Sequence, residues 1–336
     1  MTVPAEVAAA WGWQHAELLA LPGGLINATF RVRIDGEPLA VLQRLHPVFG
    51  AAVNVDIETV TAHLAARGLT TPRLLRTLDD RASIELDGQV WRALSWVPGE
   101  TVHAVPSLAL AEAGGELVGR FHRAVADLEH TYAFARAGVH DTAAHLARLD
   151  ELVRTTADAE AIALGTDVLA ATAELPVLPA TARRHCHGDL KISNILFAGT
   201  RAECLVDLDT LGLGTMAFEL GDAMRSWCNP RGEDAGSVAF ELPIFAAAIR
   251  GFRRVADPIV TRDELASIVV GLETVCIELA ARFAVDVFRD AYFGWDPARF
   301  PSRRAHNLVR ARGQLALGLA VRAARKDALD VVLAGA

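Results

Sequence analysis

The chain has 336 residues, 52% of them apolar and 22% charged, the make-up of an ordinary globular protein long enough for two lobes. A net charge of −8 with no basic block argues against nucleic acid as a partner, and no uncharged apolar run reaches the ~18 residues that a membrane span needs. The first twenty residues carry Glu6, His15 and Glu17 without a basic start, so no secretory leader is expected. Cys186, Cys204, Cys228 and Cys276 are scattered without a Cys-x-x-Cys pair and read as free thiols of a cytoplasmic protein.

Taken in chain order, Ala9 to Leu19 reads as a short helix. A glycine turn, Leu21-Pro-Gly-Gly-Leu-Ile-Asn-Ala-Thr-Phe30, then opens an alternating strand, Phe30 to Ile34. Asp35-Gly36 is a hairpin turn and Leu39 to Leu45 the returning strand. Val53 to Ala66 places Val53, Ile57, Val60 and Leu64 at helical spacing. Arg73 to Leu78, Ala82 to Leu86 and Gln89 to Val97 read as strands, stopped by Pro98-Gly99. Beyond that point the pattern is helical: Leu108 to Leu128, with Gly114, Gly115 and Gly119 permitting close helix packing, then Ala143 to Leu175, and later about 238–254, 262–289 and 304–325. The expected organisation is a β-rich lobe, 1–98, and a mainly helical lobe, 99–336.

The most informative stretch lies at the centre, His185-Cys-His-Gly-Asp-Leu-Lys-Ile-Ser-Asn-Ile-Leu-Phe197, followed by Leu205-Val-Asp-Leu-Asp209. Ile195 to Phe197 and Cys204 to Val206 read as a hairpin about the turn at Arg201, with chemical groups before and after it. Asp189, Asn194 five residues on and Asp207 eighteen residues on have the spacing of a phosphoryl-transfer loop. One carboxylate there orients the attacking hydroxyl and takes its proton, while the amide and the second carboxylate hold magnesium. Of the 33 basic residues only Lys191 and Lys326 are lysine, so a compact point charge suited to a transferring phosphate stands two residues after the candidate base.

A β-rich lobe, a Pro-Gly hinge, a helical lobe and this catalytic hairpin resemble the aminoglycoside phosphotransferase and choline kinase superfamily, relatives of the protein kinases. Gly24-Leu-Ile-Asn-Ala-Thr-Phe30, Val41-Leu-Gln-Arg44, Trp91-Arg92-Ala93, Gly221-Asp-Ala-Met-Arg225 and His306-Asn-Leu-Val-Arg-Ala-Arg312 are similar to its N-acetylhexosamine 1-kinase branch. The resemblance implies an α+β, protein-kinase-like two-lobed fold, ATP and Mg2+ as cofactors, and a small-molecule alcohol as acceptor. That acceptor would be a hexosamine or N-acetylhexosamine; an aminoglycoside, choline or homoserine is the alternative. A catalytically inactive nucleotide-binding protein is a third reading.

Carried onto this sequence, the resemblance makes Asp189 the base, with Lys191 and His187 in the catalytic loop and His187 bracing it. It makes Asn194 and Asp207 the metal ligands and Asp209 a structural partner. Gly24, Asn27 and Thr29 would cover the nucleotide phosphates, and Ser95, Trp96 and Val97 would meet adenine. No lysine precedes position 191, so Arg44 or Gln43 would replace the lysine of the third strand, only one of them facing inward. Its acidic partner would be Glu58 or, with a small shift, Asp56. Asp222 and Arg225 would brace the metal loop or line the acceptor pocket. Trp295, His306, Asn307 and Arg310 offer the aromatic and planar polar groups that a sugar pocket wants.

Overall fold

A computed structural model describes residues 2–21, 27–135, 138–290 and 292–335. The first part of the chain builds α1 (Ala5–Ala10), β1 (Glu17–Ala20), β2 (Ala28–Ile34), β3 (Glu37–Arg44), α2 (Val53–Ala66), β4 (Leu74–Leu75), β5 (Ile84–Leu86) and β6 (Gln89–Ser95). The strands form one antiparallel sheet in the order β1-β2-β3-β6-β4, with β5 on the other part of β6. Asp35 and Gly36 both adopt positive φ, 52° and 85°, the geometry that matches a tight hairpin to the twist of its strands. The helix expected over Ala9 to Leu19 lies earlier: Gly12, at φ +75°, ends it, and Glu17–Ala20 joins the sheet against Phe30–Arg33.

Alternation along the strands gives the sheet two different faces. Phe30, Val32, Ala40, Leu42, Trp91 and Ala93 pack with Val7, Trp11 and Trp13 from the N-terminal segment. Arg92 and Leu94 turn to the other face, toward α2 and the second lobe.

That second lobe contains α3 (Leu108–Ala124), α4 (Thr142–Thr155), α5 (Ala159–Thr172), β7 (Arg184–Cys186), β8 (Ile195–Ala198), β9 (Arg201–Leu205), β10 (Gly212–Gly214), α6 (Met216–Trp227), α7 (Leu242–Ala256), α8 (Arg262–Arg289), α9 (Arg303–Ala323) and α10 (Arg325–Leu333). The helical pattern of residues 143–175 is two helices, because Asp158 caps a second one by accepting from the Ala161 amide. Strands β8 and β9 form the central hairpin, and β7 pairs with β10. A capping box of Thr261 and Glu264 starts the long α8. Glu264 also receives Arg184 through two nitrogens, tying β7 to that helix. Among the described residues no helix is long and apolar enough to cross a membrane. The four cysteines are free and buried, and burial pushes the Cys186 thiol well up.

The lobes share one core. Val53, Ile57, Val60 and Leu64 of α2 join Leu94 of the sheet and Leu190, Ile195 and Phe197 of the central hairpin. After Pro98 the chain is bonded at once to that hairpin: Glu100 and Phe197 exchange both backbone hydrogen bonds, at 2.9 and 2.8 Å.

Helices α3 and α7 meet backbone to backbone. A Cβ at Gly115 would lie 2.0 Å from the Ala248 carbonyl oxygen, and one at Gly251 would lie 2.0 Å from that of Glu112. Gly251→Ala must therefore push the helices apart and should cost ~3 kcal/mol, the upper part of the range for overpacking a well-packed core. Gly236→Ala, where nothing lies within 4 Å of the added carbon, should leave the urea midpoint unchanged. Equal midpoints for the two variants would contradict this packing.

Candidate active site

The catalytic-loop residues are placed by a buried carboxylate. Glu219, on α6 and 5% exposed, accepts the backbone N–H of His187 at 2.8 Å and of Gly188 at 2.9 Å, one with each oxygen. Burial pushes the Glu219 carboxyl up, but the neighbouring His122 and His187 and these amides outweigh it, holding it below the ordinary range. His187 is fully buried; its Nε2 donates to the Val206 carbonyl at 2.9 Å and its Nδ1 accepts from the Asp189 amide at 3.3 Å. Both ring nitrogens are thus occupied, and the imidazole fixes the loop to the end of the central hairpin. Gly188, at φ +80°, sits so tightly on the 208–210 turn that a Cβ would lie 2.4 Å from the Thr210 carbonyl oxygen. The Thr210 hydroxyl donates to the His187 carbonyl.

On this base Asp189 and Asp207 open into a recess of about 180 Å3 whose wall also includes Phe49, His140, Asp222, Arg225, Glu278 and Arg282. Lys191 donates to Asp189 at 2.7 Å and lies 3.8 Å from Asp207. Burial works to lower the Lys191 pKa, but Asp189 and Asp207 outweigh it and the net shift is upward. Asp207 keeps 39% of its side-chain surface, yet that surface faces the recess. The surrounding protein, and next the charge of Asp189, raise its carboxyl above the usual range. Asn194, 5% exposed, donates through Nδ2 to the Asp189 carbonyl, which leaves its amide oxygen as a donor atom for a hard cation. Asp222 accepts from Arg225 at 2.7 Å; burial favours the neutral carboxyl, but the guanidinium outweighs it and lowers the pKa.

Several expected nucleotide contacts are placed differently. Gly24 lies outside the described residues. Asn27 is 8% exposed and used on both ends: Nδ2 donates to Asp209 at 2.6 Å, and Oδ1 accepts from the His46 amide at 2.9 Å. The Thr29 hydroxyl accepts from Gln43 at 3.3 Å. Arg44 shares the face of Leu42, opposite Trp91, away from the cleft, whereas Gln43, opposite Arg92, faces α2. Glu58 pairs with Arg76 on the surface. The alternative Asp56 is buried and holds the segment ahead of α4, accepting from His130 and from the Ala133 and Phe134 amides. The Ser95 and Trp96 amides are engaged by Arg73 and Leu39, which leaves Val97 as the one of the three without a backbone bond among the described residues.

The C-terminal candidates are braces. His306, fully buried, stacks on Phe300 and lies 2.8 Å from Asp234. Arg310 binds the same carboxylate at 2.6 Å and the Gly294 carbonyl at 2.7 Å. Asn307 donates to Asp286 at 2.8 Å. Neither these residues nor Trp295 forms part of the recess wall. The C-terminal part of the wall comes instead from one stripe of α8, Val275, Glu278, Leu279 and Arg282, spaced i, i+3, i+4, i+7. Glu278 is buried and held by His140 and Thr142. Glu278 and Arg282, two charged residues one turn apart in a mostly apolar helix, are the signal that could have marked this face in advance.

An antiparallel-sheet lobe set on a helical lobe, with this loop and hairpin between them, is the fold of the kinase-like phosphotransferases. Residues 17–256 match the phosphotransferase enzyme family (APH), and the chain belongs to that family. It is 28% identical over 228 residues to the homoserine kinase of Granulibacter bethesdensis, a match covering 66% of this chain and 65% of that relative, less than two thirds of its length. Two solved structures share the fold, each at TM-score 0.65 and 14% identity. One is the amicoumacin kinase hAmiN in complex with AMP-PNP, Ca2+ and Ami, covering 91% of this chain and 90% of that one. The other is a microcompartment-associated aminopropanol kinase, covering 95% of this chain and 97% of that one.

Glu219→Gln sets an amide NH2 against one of two backbone donors. It should destabilise the chain by about 1–3 kcal/mol at pH 7. Because the folded carboxyl is held low, its contribution is complete above about pH 4.5 and is lost as acid titrates the folded form. Urea midpoints of chain and variant should therefore converge as pH falls below about 4. A constant gap between them at all pH would remove Glu219 from this role.

Proposed function

We propose that this chain is an ATP- and magnesium-dependent kinase that phosphorylates a hydroxyl group of a small molecule. The observation that carries the reading is that Asp189 and Asp207 face one recess, with Lys191 bonded to Asp189 and 3.8 Å from Asp207, and Asn194 bonded to the Asp189 carbonyl, on a loop and turn fixed by buried hydrogen bonds. Asp189 orients the acceptor hydroxyl and takes its proton as the phosphoryl group arrives. Lys191 donates to Asp189 and presents positive charge beside it. His187 braces the loop and transfers no proton, since both its nitrogens are engaged. The Val97 amide is the hinge donor left for a nucleotide base.

The donor set suits magnesium. Asp207 and the Asn194 amide oxygen are hard oxygen ligands, and a cation would offset the burial, and next the neighbouring Asp189 charge, that raise Asp207. Among the described residues no cage of three or more acidic, histidine or cysteine ligands exists. Magnesium, which keeps waters and phosphate oxygens as ligands, needs none. When bound, the ion neutralises charge on the nucleotide phosphates.

The acceptor class that fits best is a small alcohol that also bears an amino or acylamino group. Within that class the strings near Gly24 and His306 support a hexosamine or N-acetylhexosamine. The homoserine kinase relative supports a hydroxy amino acid instead, and one observation in the recess favours it: Arg282 lies over the Phe293 ring at 5.7 Å and has no carboxylate partner among the described residues. A carboxylate on the acceptor would supply one.

Turnover of ATP with magnesium should appear with homoserine, N-acetylglucosamine, N-acetylgalactosamine or glucosamine, and Asp189→Ala should lower kcat by ~10³-fold with little change in nucleotide affinity. Background hydrolysis alone across that panel and with choline and aminoglycosides would reject the kinase reading. Arg282→Gln separates the two acceptors. It should raise KM at least ~10-fold for a carboxylate-bearing acceptor, the loss of one charged contact, and leave KM for an N-acetylhexosamine unchanged.

A further inference from the structure

The third strand carries no lysine, and the cleft face of β3 offers Gln43. Its side-chain oxygen accepts two hydrogen bonds from one guanidinium, Arg92 Nε at 2.9 Å and Nη2 at 2.7 Å. Arg92 Nη1 lies 2.5 Å from Asp209 Oδ1, and both side chains are 1% exposed. The other oxygen of Asp209 accepts Asn27 Nδ2. Asn54 of α2 approaches Arg92 Nη1 at 3.5 Å. Two strand positions, Gln43 and Arg92, with Asn54 of α2 and Asn27 just ahead of β2, thus form one network that ends on a carboxylate two residues past Asp207. Asp207 itself adopts the left-handed conformation, φ 64°, ψ 59°, which Asp tolerates better than most residues.

A fully buried ion pair is a poor source of stability, because desolvation consumes most of the attraction. What it does well is fix one geometry. A planar guanidinium held by Gln43 on one edge and Asp209 on the other does so better than a lysine would. We propose that Arg92 is a positioning residue. Through Asp209 it locks the 207–210 turn to the sheet lobe and so sets the Asp207 carboxylate for the metal–nucleotide complex. Asp209 is thereby withdrawn from the metal, although it stands two residues from it. The proposal rests on the kinase reading above and adds to it the residue that couples the sheet to the metal turn.

The test uses the full chain and its Arg92→Lys, Asp209→Asn and Arg92→Gln/Asp209→Asn variants, the last replacing the ion pair by two neutral groups of similar shape. Calorimetry would measure AMP-PNP binding with magnesium and with EDTA, alongside thermal midpoints and steady-state kinetics. Arg92→Lys and the neutral pair should fold, yet bind AMP-PNP ~10-fold more weakly in magnesium and equally well in EDTA, the size of effect seen when the partner of a metal ligand is altered. The magnesium concentration for half-maximal rate should rise by a similar factor while KM for the acceptor stays fixed.

Unchanged magnesium-dependent affinity in either folded variant would make Arg92 a structural residue only and overturn the proposal. An equal loss in magnesium and in EDTA would mean that Arg92 serves the nucleotide directly, and would overturn it too. Unfolding of all three variants would assign the pair to the fold and overturn it likewise. Failure of the unsubstituted chain to bind AMP-PNP in magnesium would overturn the kinase reading together with this proposal; it is distinguishable because it precedes any substitution.

Discussion

Two successive amide hydrogens, those of His187 and Gly188, point into the carboxylate of Glu219, and the rest of the site is arranged around that contact. A loop that must expose an acid, a lysine and an amide to a ligand has little apolar surface with which to hold itself. Its backbone donors would be orphaned where it dips into the core, and orphaned donors are costly. One buried carboxylate satisfies both and orients the peptide planes that follow. His187 then pins the same loop to Val206, and the Thr210 hydroxyl pins it to the 208–210 turn. The residues proposed as base and metal ligands are therefore held together before any ligand arrives, which is where a reaction that depends on position gains most.

The sheet lobe reaches this body through a different kind of contact. Apolar packing of α2 and Leu94 against the central hairpin brings the lobes together without specifying their register closely. Arg92 to Gln43 and Asn27 to Asp209 supply directional hydrogen bonds at the same junction, and Arg92 pairs there with Asp209. The division of labour is a general one: burial of apolar surface gives affinity between elements, and satisfied polar networks choose one arrangement among several.

Much of this was readable in the sequence, and the parts that were not share a cause. The catalytic hairpin, α2 over Val53–Ala66 and α8 over Arg262–Arg289 were legible because local residue spacing defines them. The choice between Gln43 and Arg44 was not. A period of two says that they face opposite ways, but which face meets the second lobe is decided by where Trp11, Trp13 and Trp91 gather. Arg92 stood inside a strand otherwise buried and apolar, a pattern that signals a partner without naming Asp209, which lies more than a hundred residues away. His306, Asn307 and Arg310 were chosen for their functional groups, yet the same groups serve equally well to brace a long connection, and here they bind Asp234, Asp286 and Gly294. The C-terminal part of the recess wall came from a helical stripe with two charged residues, a weaker signal than a cluster of polar residues and the one that places side chains at the recess.

The double bond exchange between Glu100 and Phe197 has a mechanical consequence. Because the Trp96 amide is still bonded to the sheet and the chain is stapled to β8 two residues after Pro98, the crossover between the lobes is confined to Val97, Pro98 and Gly99, and one of those has a fixed φ. Any relative rotation must turn about this short pivot, with the sheet as a stiff lever arm. Small torsional changes at the pivot therefore become large excursions at the far hairpin of β2 and β3 and almost none at the 207–210 turn. The 207–210 turn, tied to the sheet through Asp209, lies beside this pivot and would keep its place under such a rotation.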